Sequence, residues 1–517
     1  MSEKPRIQSV ECLVRTGGGL WAIAFLFCCT GFVLTAGSIA AQPLDSSAID
    51  RLVQAALTTW HVPGVAVGIV RNDEAVYLKG FGVKRLGAPD QVTPDTLFAI
   101  ASCTKAFTTT AMAMLVDEGK LNWDDPVRKH VDYFHLADPL ADANVTLRDL
   151  VTHRTGLGGN DLLWYRSPWD RRELIRRIGL VKPKYSFRST FQYQSTMFTA
   201  AGSAVESAAG MKWEDFVQKR ILNPLGMTGV NFTTTAAEKA PDHATPHRHN
   251  RLGQIEPIPW YPIIRTDPAG SINASARDLC RWARFHLGEG VFEGKRLVSA
   301  KSLGETYTPQ IIIPLAGQAR DMNPETLLMS YGMAWVIQDY RGRLQLSHAG
   351  AIDGFRVHIT LLPSDKLGIV LLNNLHNAEM NLALSNAIVD KALGLPTKDW
   401  NAYIAAQVVR REQAAAAKRQ EREAGRHLGT QPSRELSAYV GHYENAAYGT
   451  AEVALRDDTL AWQWNSFAGE LEHFHYDTFT LKNELIGRPQ VVFTLGADGE
   501  VASMKVLDLM DVEFKKR

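Results

Sequence analysis

The stretch from Tyr403 to Gly425 divides this chain into two parts that have different hydrophobic patterns. It is rich in alanine, arginine, glutamine and glutamate, and no aromatic residue follows Tyr403 within it, which is typical of a solvated helical linker. At 517 residues the chain exceeds the roughly 250–300 residues that a single hydrophobic core reaches. We therefore predict a large domain at 42–400, a helical linker at 401–433 and a small domain at 434–517.

The part after the linker consists of short runs in which apolar and polar residues alternate, as in half-buried strands. Turn residues such as Asp498-Gly499 separate these runs, and the spacing predicts a small antiparallel barrel of seven strands. Trp462 and Trp464 alternate there, so they either fill the barrel core or line a ligand pocket. The runs are 440–443, 451–455, 460–464, 471–474, 478–481, 491–495 and 502–507.

The part before the linker mixes helices and strands. Residues 46–60 carry apolar side chains at helical spacing, and the apolar runs 65–70 and 75–81 flank polar residues as in a hairpin. This pattern predicts a mixed α/β domain. Further strands are expected at 344–347, 356–362 and 367–372, and a helix at 381–393.

The first 41 residues predict a secretory signal peptide. Lys4, Arg6 and Arg15 precede an apolar run at 20–36, and small residues at 38–41 offer a cleavage site. Because the run is close to the length that spans a bilayer, an uncleaved membrane anchor is the alternative. We expect an exported protein, either periplasmic or secreted.

Composition argues against several partners. The net charge of +1 gives no reason to expect nucleic acid, and no glycine-rich phosphate loop indicates a nucleotide. Without the signal peptide only Cys103 and Cys280 remain, so no disulfide framework is expected. His243, His247 and His249 are irregularly spaced around a proline, which favours a polar loop over a zinc site. We therefore predict no cofactor, a small-molecule or peptide substrate, and leave a homo-oligomer open.

The sequence contains one Ser-x-x-Lys tetrad, Ser102-Cys103-Thr104-Lys105, at the start of an apolar helix predicted at 106–116. Residues three apart share a helix face, so the Lys105 amine can lie over the Ser102 hydroxyl. An unprotonated lysine can take the serine proton, which requires its pKa to fall by about three units from about 10.4. The alternative is a capping serine beside a surface lysine.

A tyrosine could complete such a site by relaying a proton to a leaving group. Tyr-x-Ser or Tyr-x-Asn occurs at Tyr165, Tyr193 and Tyr443. Tyr443 falls in the predicted barrel, and Tyr165 lies in a stretch rich in tryptophan and arginine. Tyr193 leads directly into a helix predicted at 197–209, and it is the best placed of the three.

A third element should supply backbone donors and a polar group for the substrate. His-x-Gly occurs at His286, His348 and His427. His286 closes a predicted helix and His427 lies in the linker, whereas His348-Ala349-Gly350 follows a predicted strand. A glycine at a strand end lets a ligand approach the backbone closely, so context favours His348, with a plain strand-end turn as the alternative.

Together the three motifs resemble a known family. Their order and spacing are similar to those of the class C β-lactamase-related serine hydrolases, which include penicillin-recognising peptidases, D-aminopeptidases and esterases. The resemblance covers residues 46–395, and the barrel resembles the lipocalin-like domain that follows this hydrolase domain in some members. Other stretches that look like the family are 147–157, 223–227, 268–272 and 331–335.

The resemblance implies an α+β fold: an α/β sandwich with an antiparallel sheet flanked by helices and an all-helical subdomain, followed by the small all-β barrel. It implies that Ser102 is the acylated nucleophile, Lys105 its base, and Tyr193 the donor of a proton to the leaving group. The N–H groups of Ser102 and Ala351 would hold the oxyanion. The substrate-binding residues that it implies are Ser195, His348, Gly350 and Ala351.

Two departures from the β-lactamase pattern bear on the substrate. His348 stands where the third motif usually has lysine, and Ala349 lacks the hydroxyl that helps to receive a β-lactam carboxylate. Ser195 replaces the asparagine of the second motif. We therefore expect an exported serine hydrolase that is a peptidase or an esterase. The alternatives are a true β-lactamase or DD-peptidase, and a penicillin-recognising protein that binds without turnover.

Overall fold

The structure is a computed structural model that describes residues 44–262, 267–510 and 512–517. The signal peptide predicted at 1–41 lies outside the described residues. No helix within the described part of the chain combines the length and apolar character needed to cross a bilayer. The helices are α1 (Ser46–Trp60), α2 (Thr104–Asp117), α3 (Pro139–Asn144), α4 (Leu147–Leu150), α5 (Arg171–Ile178), α6 (Ser195–Ala209), α7 (Trp213–Val217), α8 (Thr234–Lys239), α9 (Ala276–Leu287), α10 (Ala300–Glu305), α11 (Gln318–Met322), α12 (Met380–Leu393) and α13 (Trp400–Ala424).

The large domain is built on an antiparallel sheet. Its strands are β1 (Gly64–Arg71), β2 (Glu74–Gly82), β3 (Phe98–Ala99), β4 (His247–His249), β5 (Ile255–Pro257), β6 (Asn273–Ala274), β7 (Val291–Phe292), β8 (Lys295–Arg296), β9 (Ile311–Ile312), β10 (Met329–Tyr331), β11 (Val336–Tyr340), β12 (Arg343–Ile352), β13 (Phe355–Leu362) and β14 (Leu367–Asn373). Eight of them form the main sheet in the order β2-β1-β14-β13-β12-β11-β10-β9. The pairs β3-β6, β4-β5 and β7-β8 form small two-stranded sheets among the described residues.

Helices cover both faces of the main sheet. Val65, Val67 and Ile69 of β1 belong to the core that α1 and α12 close. Ala66 and Val70, which alternate with them, belong to the core on the other face, where α9 packs. A strand buried on both faces is apolar at successive positions, which explains why β1 shows no alternation in its sequence.

A group of helices packs beside the sheet and carries the start of the motif region. Nearly every residue of α2 is buried, and α2 packs against α6, α7 and α10. A helix that is buried on all sides is a core helix, and the sequence of α2 accordingly shows only weak amphipathic character. The helices α4, α5 and α7 pack in turn on α6. The predicted fold class, a sandwich with a helical subdomain followed by a barrel, is confirmed.

The C-terminal part is a closed antiparallel barrel. Successive strands pair with each other, and the last strand pairs with the first, for example at Tyr443 and Lys516. The strands are β15 (Gly441–Asn445), β16 (Gly449–Arg456), β17 (Thr459–Trp464), β18 (Phe467–His475), β19 (Thr478–Lys482), β20 (Gln490–Leu495), β21 (Val501–Val506) and β22 (Glu513–Lys516).

Aromatic side chains fill the interior of this barrel. Trp462, Trp464 and Phe467 are each at most 1% exposed, and the rings of Trp464 and Phe467 stack at 5.8 Å. Of the two interpretations that the sequence left open, these residues are therefore core rather than the lining of a ligand pocket.

Two boundaries differ from the sequence predictions. The barrel has eight strands rather than seven, because Phe514 is the one buried residue of β22 and four residues give no clear alternation. The strand predicted at 344–347 runs through the histidine motif to Ile352, since its pairing with β13 continues as far as Phe355. Gly350 lies inside this strand, so its interpretation as the mark of a strand end was wrong.

Candidate active site

Ser102 lies in a 3₁₀ turn, Ala101–Cys103, between β3 and α2. The pairing of β3 with β6 and a hydrogen bond from the Ile100 N–H to the Ile272 carbonyl fix the entry to this turn. Ala101 has a φ of 46°, a left-handed conformation that is costly for a residue with a side chain. Strain of this kind persists where the surroundings over-determine the backbone, and here it presents Ser102 at the helix N-terminus.

Lys105 lies one turn further along and has no exposed surface. Its Nζ is 3.0 Å from Ser102 Oγ and 2.9 Å from the Ala269 carbonyl oxygen. Burial lowers the pKa of Lys105 to about 8, although the charges of Asp267 and Asp161 act in the opposite direction. Among the residues that the structure describes, no carboxylate forms an ion pair with this amine. Its neutral form is therefore accessible near neutral pH.

Tyr193 lies directly beside this pair. The Lys105 Nζ is 4.9 Å from the centroid of the Tyr193 ring and 5.4 Å from that of Phe198. Burial raises the pKa of Tyr193 well above its ordinary range, and hydrogen bonding to Ser102 lowers it by less. The phenol therefore holds its proton throughout the neutral range, whereas the amine of Lys105 can lose its own there.

A chain of buried hydrogen bonds connects the second and third motifs. The Gln194 N–H donates to His153 Nδ1 over 3.0 Å, and His153 Nε2 lies 3.2 Å from Tyr331 Oη. Tyr331 Oη is 3.1 Å from His348 Nε2, and His348 Nδ1 is 2.8 Å from the Ala349 carbonyl oxygen.

The two ends of this chain fix the direction of each bond. A backbone N–H must donate, so His153 accepts at Nδ1 and donates from Nε2 to Tyr331. A carbonyl must accept, so His348 donates from Nδ1, and its Nε2 accepts the Tyr331 proton. Burial lowers the pKa of His153 well below its ordinary value and that of His348 to about 3, so both imidazoles are neutral.

The predicted substrate-binding residues divide between the cleft and the core. Ser195 and Ala351 line the cleft at Ser102. His348 is only 4% exposed, and its imidazole faces Tyr331 instead of the cleft. Gly350 packs on the Ser102 turn: a Cβ there would lie 2.0 Å from the Ile100 carbonyl oxygen. The close approach that this glycine allows is to the chain's own backbone.

The cleft at Ser102 has a volume of about 780 Å³. Its wall is largely aromatic near the loop that follows α4, and it is charged at the end formed by α5 and α6, where Arg171 pairs with Glu206 at 2.5 Å. Such a cleft can take a ligand much larger than a water molecule. The aromatic residues of the wall are Tyr133, Trp164, Trp169 and Tyr261.

The other candidates from the sequence lie elsewhere. Tyr443 donates to the Tyr439 carbonyl inside the barrel, and Tyr165 donates to Asp353 in a loop beside the cleft. His286 is buried beside Tyr307. His427 follows α13 and contacts His475 of the barrel strand β18.

The histidine cluster forms no metal site in the described ranges. His247 accepts a hydrogen bond from the Leu86 N–H at Nε2, and its Nδ1 lies 3.0 Å from the Asn374 carbonyl oxygen. No group of three or more His, Cys, Asp or Glu side chains in residues 44–262, 267–510 and 512–517 is arranged to hold an ion.

Comparison with known proteins settles the family. Residues 49–393 match the family described as Beta-lactamase. This chain belongs to the beta-lactamase family. A second part of this family member, residues 426–517, matches a domain of unknown function, DUF3471, which includes the barrel.

Relatives of this beta-lactamase family member are similar over most of their length. The unguisins hydrolase of Aspergillus violaceofuscus is 27% identical, with 87% of this chain and 85% of that protein covered. Penicillin-binding protein 4 of Amycolatopsis lactamdurans is 28% identical, with 64% and 86% covered. The octameric penicillin-binding protein homologue from Pyrococcus abyssi has the same fold, with a TM-score of 0.60, 21% identity and 91% and 100% of the two chains covered.

Two residues of the site, His153 and Tyr331, were not among the sequence candidates. Both fall in stretches that resemble the family, 147–157 and 331–335, so a signal was present. Their role could not be read from spacing, because the hydrogen bonds join residues 178 and 17 positions apart.

Proposed function

We propose that this protein hydrolyses an amide or ester bond through an acyl-enzyme on Ser102. The observation that carries the proposal is the 3.0 Å distance between Ser102 Oγ and the buried Lys105 Nζ. A hydroxyl needs a base within hydrogen-bond reach, and this amine lies at that distance.

The pKa of Lys105 makes the amine useful as a base. With a pKa of about 8, about one tenth of the amines are neutral at pH 7, against about one in 2,500 at the ordinary value of 10.4. The gain of about 200-fold in active base comes from burial alone. Lys105 takes the Ser102 proton as Oγ attacks the substrate carbonyl carbon.

Tyr193 then donates its phenolic proton to the leaving group. The high pKa of the buried phenol keeps its proton in place until the bond to the carbonyl carbon breaks and negative charge develops on the departing nitrogen or oxygen, which then takes the proton. The Lys105 ammonium formed in the first step, 4.9 Å from the Tyr193 ring, balances the charge of the phenolate that is left. The N–H groups of Ser102 and Ala351, whose residues both line the cleft, would hold the oxyanion. Water then attacks the acyl-enzyme, and the same groups act in reverse.

A peptidase or esterase suits this site better than a true β-lactamase. His348 is neutral, and each of its ring nitrogens already has a hydrogen-bond partner in the protein, so the third motif offers no cation to a β-lactam carboxylate. Ala349 also offers no hydroxyl. The printed names of two similar proteins, an unguisins hydrolase and a D-stereospecific amidohydrolase from Streptomyces, agree with amide cleavage.

Export and assembly complete the proposal. The basic and apolar pattern of residues 1–41 supports a location outside the cytoplasm, periplasmic or secreted, with the segment cleaved or kept as an anchor. An octameric solved homologue supports a homo-oligomer. The N-terminal sequence of the mature protein and its mass in solution test these two points.

The reaction is tested with p-nitrophenyl acetate, short peptide amides and a fluorescent penicillin. Ser102→Ala should lower hydrolysis by at least about a thousandfold and abolish covalent labelling. Ser189→Ala, which removes an exposed serine hydroxyl, is the matched control and should retain both. Labelling without hydrolysis of any substrate would favour a penicillin-recognising protein that does not turn over, and rapid penicillin hydrolysis would favour a β-lactamase.

A further inference from the structure

One wall of the cleft is formed by residues 160–169, here named the cleft segment. Trp164, Ser167, Pro168 and Trp169 of this segment line the cleft. Its regular structure in the described chain is one 3₁₀ turn, Asp161–Leu163. The backbone hydrogen bonds within the segment lie between residues 160 and 167 and form local turns, so its position against the cleft depends on its neighbours.

The neighbours on its outer side are two turns of the barrel. The Asn160 amide donates to Tyr448 Oη over 2.9 Å, next to the start of β16. The Ser466 hydroxyl, between β17 and β18, donates to the Arg166 carbonyl over 2.9 Å. These turns are named the barrel turns, and they consist of residues 446–448 and 465–466.

Ring contacts extend the same interface. The ring of Phe467, which follows the second barrel turn, lies 6.1 Å from the ring of Tyr165. Gly449 lies against Trp169, because a Cβ at that position would be 3.4 Å from an atom of the indole. The barrel therefore contacts the segment at both ends and in its middle.

The backbone of the cleft segment shows why these contacts matter. Asn160 and Arg166 have φ values of 48° and 53°, in the left-handed region that residues with side chains avoid. They are the same two residues that the barrel turns hydrogen-bond. An arginine keeps such a conformation where surrounding contacts require it.

On its inner side the segment is tied to the third motif. Arg166 forms an ion pair with Asp353 at 2.6 Å, and Tyr165 Oη donates to the same carboxylate over 2.7 Å. Asp353 follows β12, two residues after Ala351 of the cleft. The Arg166 N–H also donates to Tyr261 Oη over 2.8 Å, and Tyr261 lines the cleft.

We infer that the barrel turns hold the cleft segment in the shape that receives the acyl part of the substrate. The barrel is thus part of the substrate site, and Tyr448 and Ser466 are positioning residues. Because Trp164, Trp169 and Tyr261 form this wall, the acyl groups that it selects are large and aromatic or apolar. This inference rests on the proposed hydrolysis at Ser102.

The test compares a small and a large acyl donor in the full chain. Tyr448→Phe combined with Ser466→Ala removes two hydroxyls and no buried carbon. Its kcat/KM for the p-nitrophenyl ester of N-acetylphenylalanine should fall at least tenfold, while that for p-nitrophenyl acetate changes less than twofold. Tyr476→Phe, at an exposed tyrosine in another barrel turn, is the control and should change neither.

A second measurement does not depend on catalysis. Hydrogen exchange of peptides that cover residues 160–169 should become faster in the double variant and stay unchanged in Tyr476→Phe. Loss of both ester activities in equal measure, or no change in either activity and in exchange, would overturn the inference. If the double variant does not fold, Ser466→Ala alone, at a surface hydroxyl, is judged by the same ratio and the same exchange.

Failure of the proposed function would look different. Wild-type protein that hydrolyses neither ester, or Ser102→Ala that retains hydrolysis, would remove the acyl-enzyme. The exchange of residues 160–169 would then still decide whether the barrel turns hold the cleft segment.

Discussion

The Tyr331 hydroxyl donates to His348 Nε2 over 3.1 Å and thereby makes the third motif part of the buried core. On its other side Tyr331 lies 3.2 Å from His153 Nε2, and the His153 ring lies 4.2 Å from that of Tyr193. The Tyr331 hydroxyl thus connects the second motif, at Tyr193, with the third motif, at His348. Because both imidazoles are neutral, the arrangement orients side chains without adding charge to the cleft.

Tyr331→Phe keeps the ring and removes the shared oxygen. It leaves the His153 N–H without an acceptor and His348 Nε2 without a donor, both buried. We expect the free energy of unfolding to fall by about 1–3 kcal/mol. Urea denaturation measures this, with Tyr476→Phe as the control at an exposed tyrosine. Equal unfolding midpoints for Tyr331→Phe and wild type would show that the bonds contribute nothing net.

The activity should depend on pH through Lys105. Since burial lowers the pKa of Lys105 to about 8, the active neutral amine is lost as the pH falls through that value. We expect kcat/KM for an ester to rise about tenfold per pH unit below pH 8 and to level off above it. Profiles between pH 6 and 9.5 measure this.

The position of the rise identifies the base. A profile that was flat between pH 6 and 9.5 would contradict Lys105 as the base. His348 gives no rise in this range because its pKa is about 3.

Gly350→Ala tests the packing of the third motif on the Ser102 turn. The new Cβ would lie 2.0 Å from the Ile100 carbonyl oxygen, a backbone atom that cannot move without the turn. Overpacking of this kind costs about 1–3 kcal/mol or more, and the displaced turn should lower kcat/KM as well. Calorimetric Tm values and ester kinetics measure the two effects.

Gly304→Ala is the matched control for that substitution. An added Cβ at Gly304 in α10 would meet no heavy atom within 4 Å apart from its neighbours in the chain and the backbone of its own helix, so stability should stay the same or rise slightly. A Gly350→Ala protein that behaved like this control would contradict the close packing.

How much the sequence predicted depends on how local the signal is. The helix α1, with its predicted bounds at 46–60, and the hairpin β1-β2 were found because apolar spacing is a local property. Ser102 and Lys105 came together as predicted, because three residues along a helix fix their geometry.

Signals that depend on distant contacts were missed. His153 and Tyr331 come into hydrogen-bond contact only in the folded chain. The hydrogen bond from Ser466 of the barrel to the Arg166 carbonyl likewise joins residues 300 positions apart. Gly350 was interpreted as marking a strand end. A glycine is needed at this position because the Ile100 carbonyl lies against it, and Ile100 is far away in the sequence. The sequence therefore identified the groups proposed to react but not the residues that hold them in place.

The last prediction concerns the buried carboxylate Asp149, which has no exposed surface and supports the segment leading to Tyr193. It accepts hydrogen bonds from Arg154 Nε and from Arg188 Nη2, both over 2.7 Å. Burial would raise the pKa of Asp149, but the hydrogen bonds and charges of the two guanidinium groups outweigh it and hold the pKa below its ordinary value.

Asp149→Asn removes the charge and leaves both guanidinium groups without their partner, so we expect a loss of about 3–5 kcal/mol in the free energy of unfolding at pH 7. Because the folded-state pKa is lowered, the contribution of Asp149 is fully present above the unfolded value of about 3.9 and is lost as the pH falls below it. The difference between wild type and variant should therefore shrink in acid. Denaturation at pH 7 and pH 3 measures it, with Asp90→Asn, at an exposed aspartate, as the control. A difference that stayed constant down to pH 3 would contradict a paired, ionised Asp149.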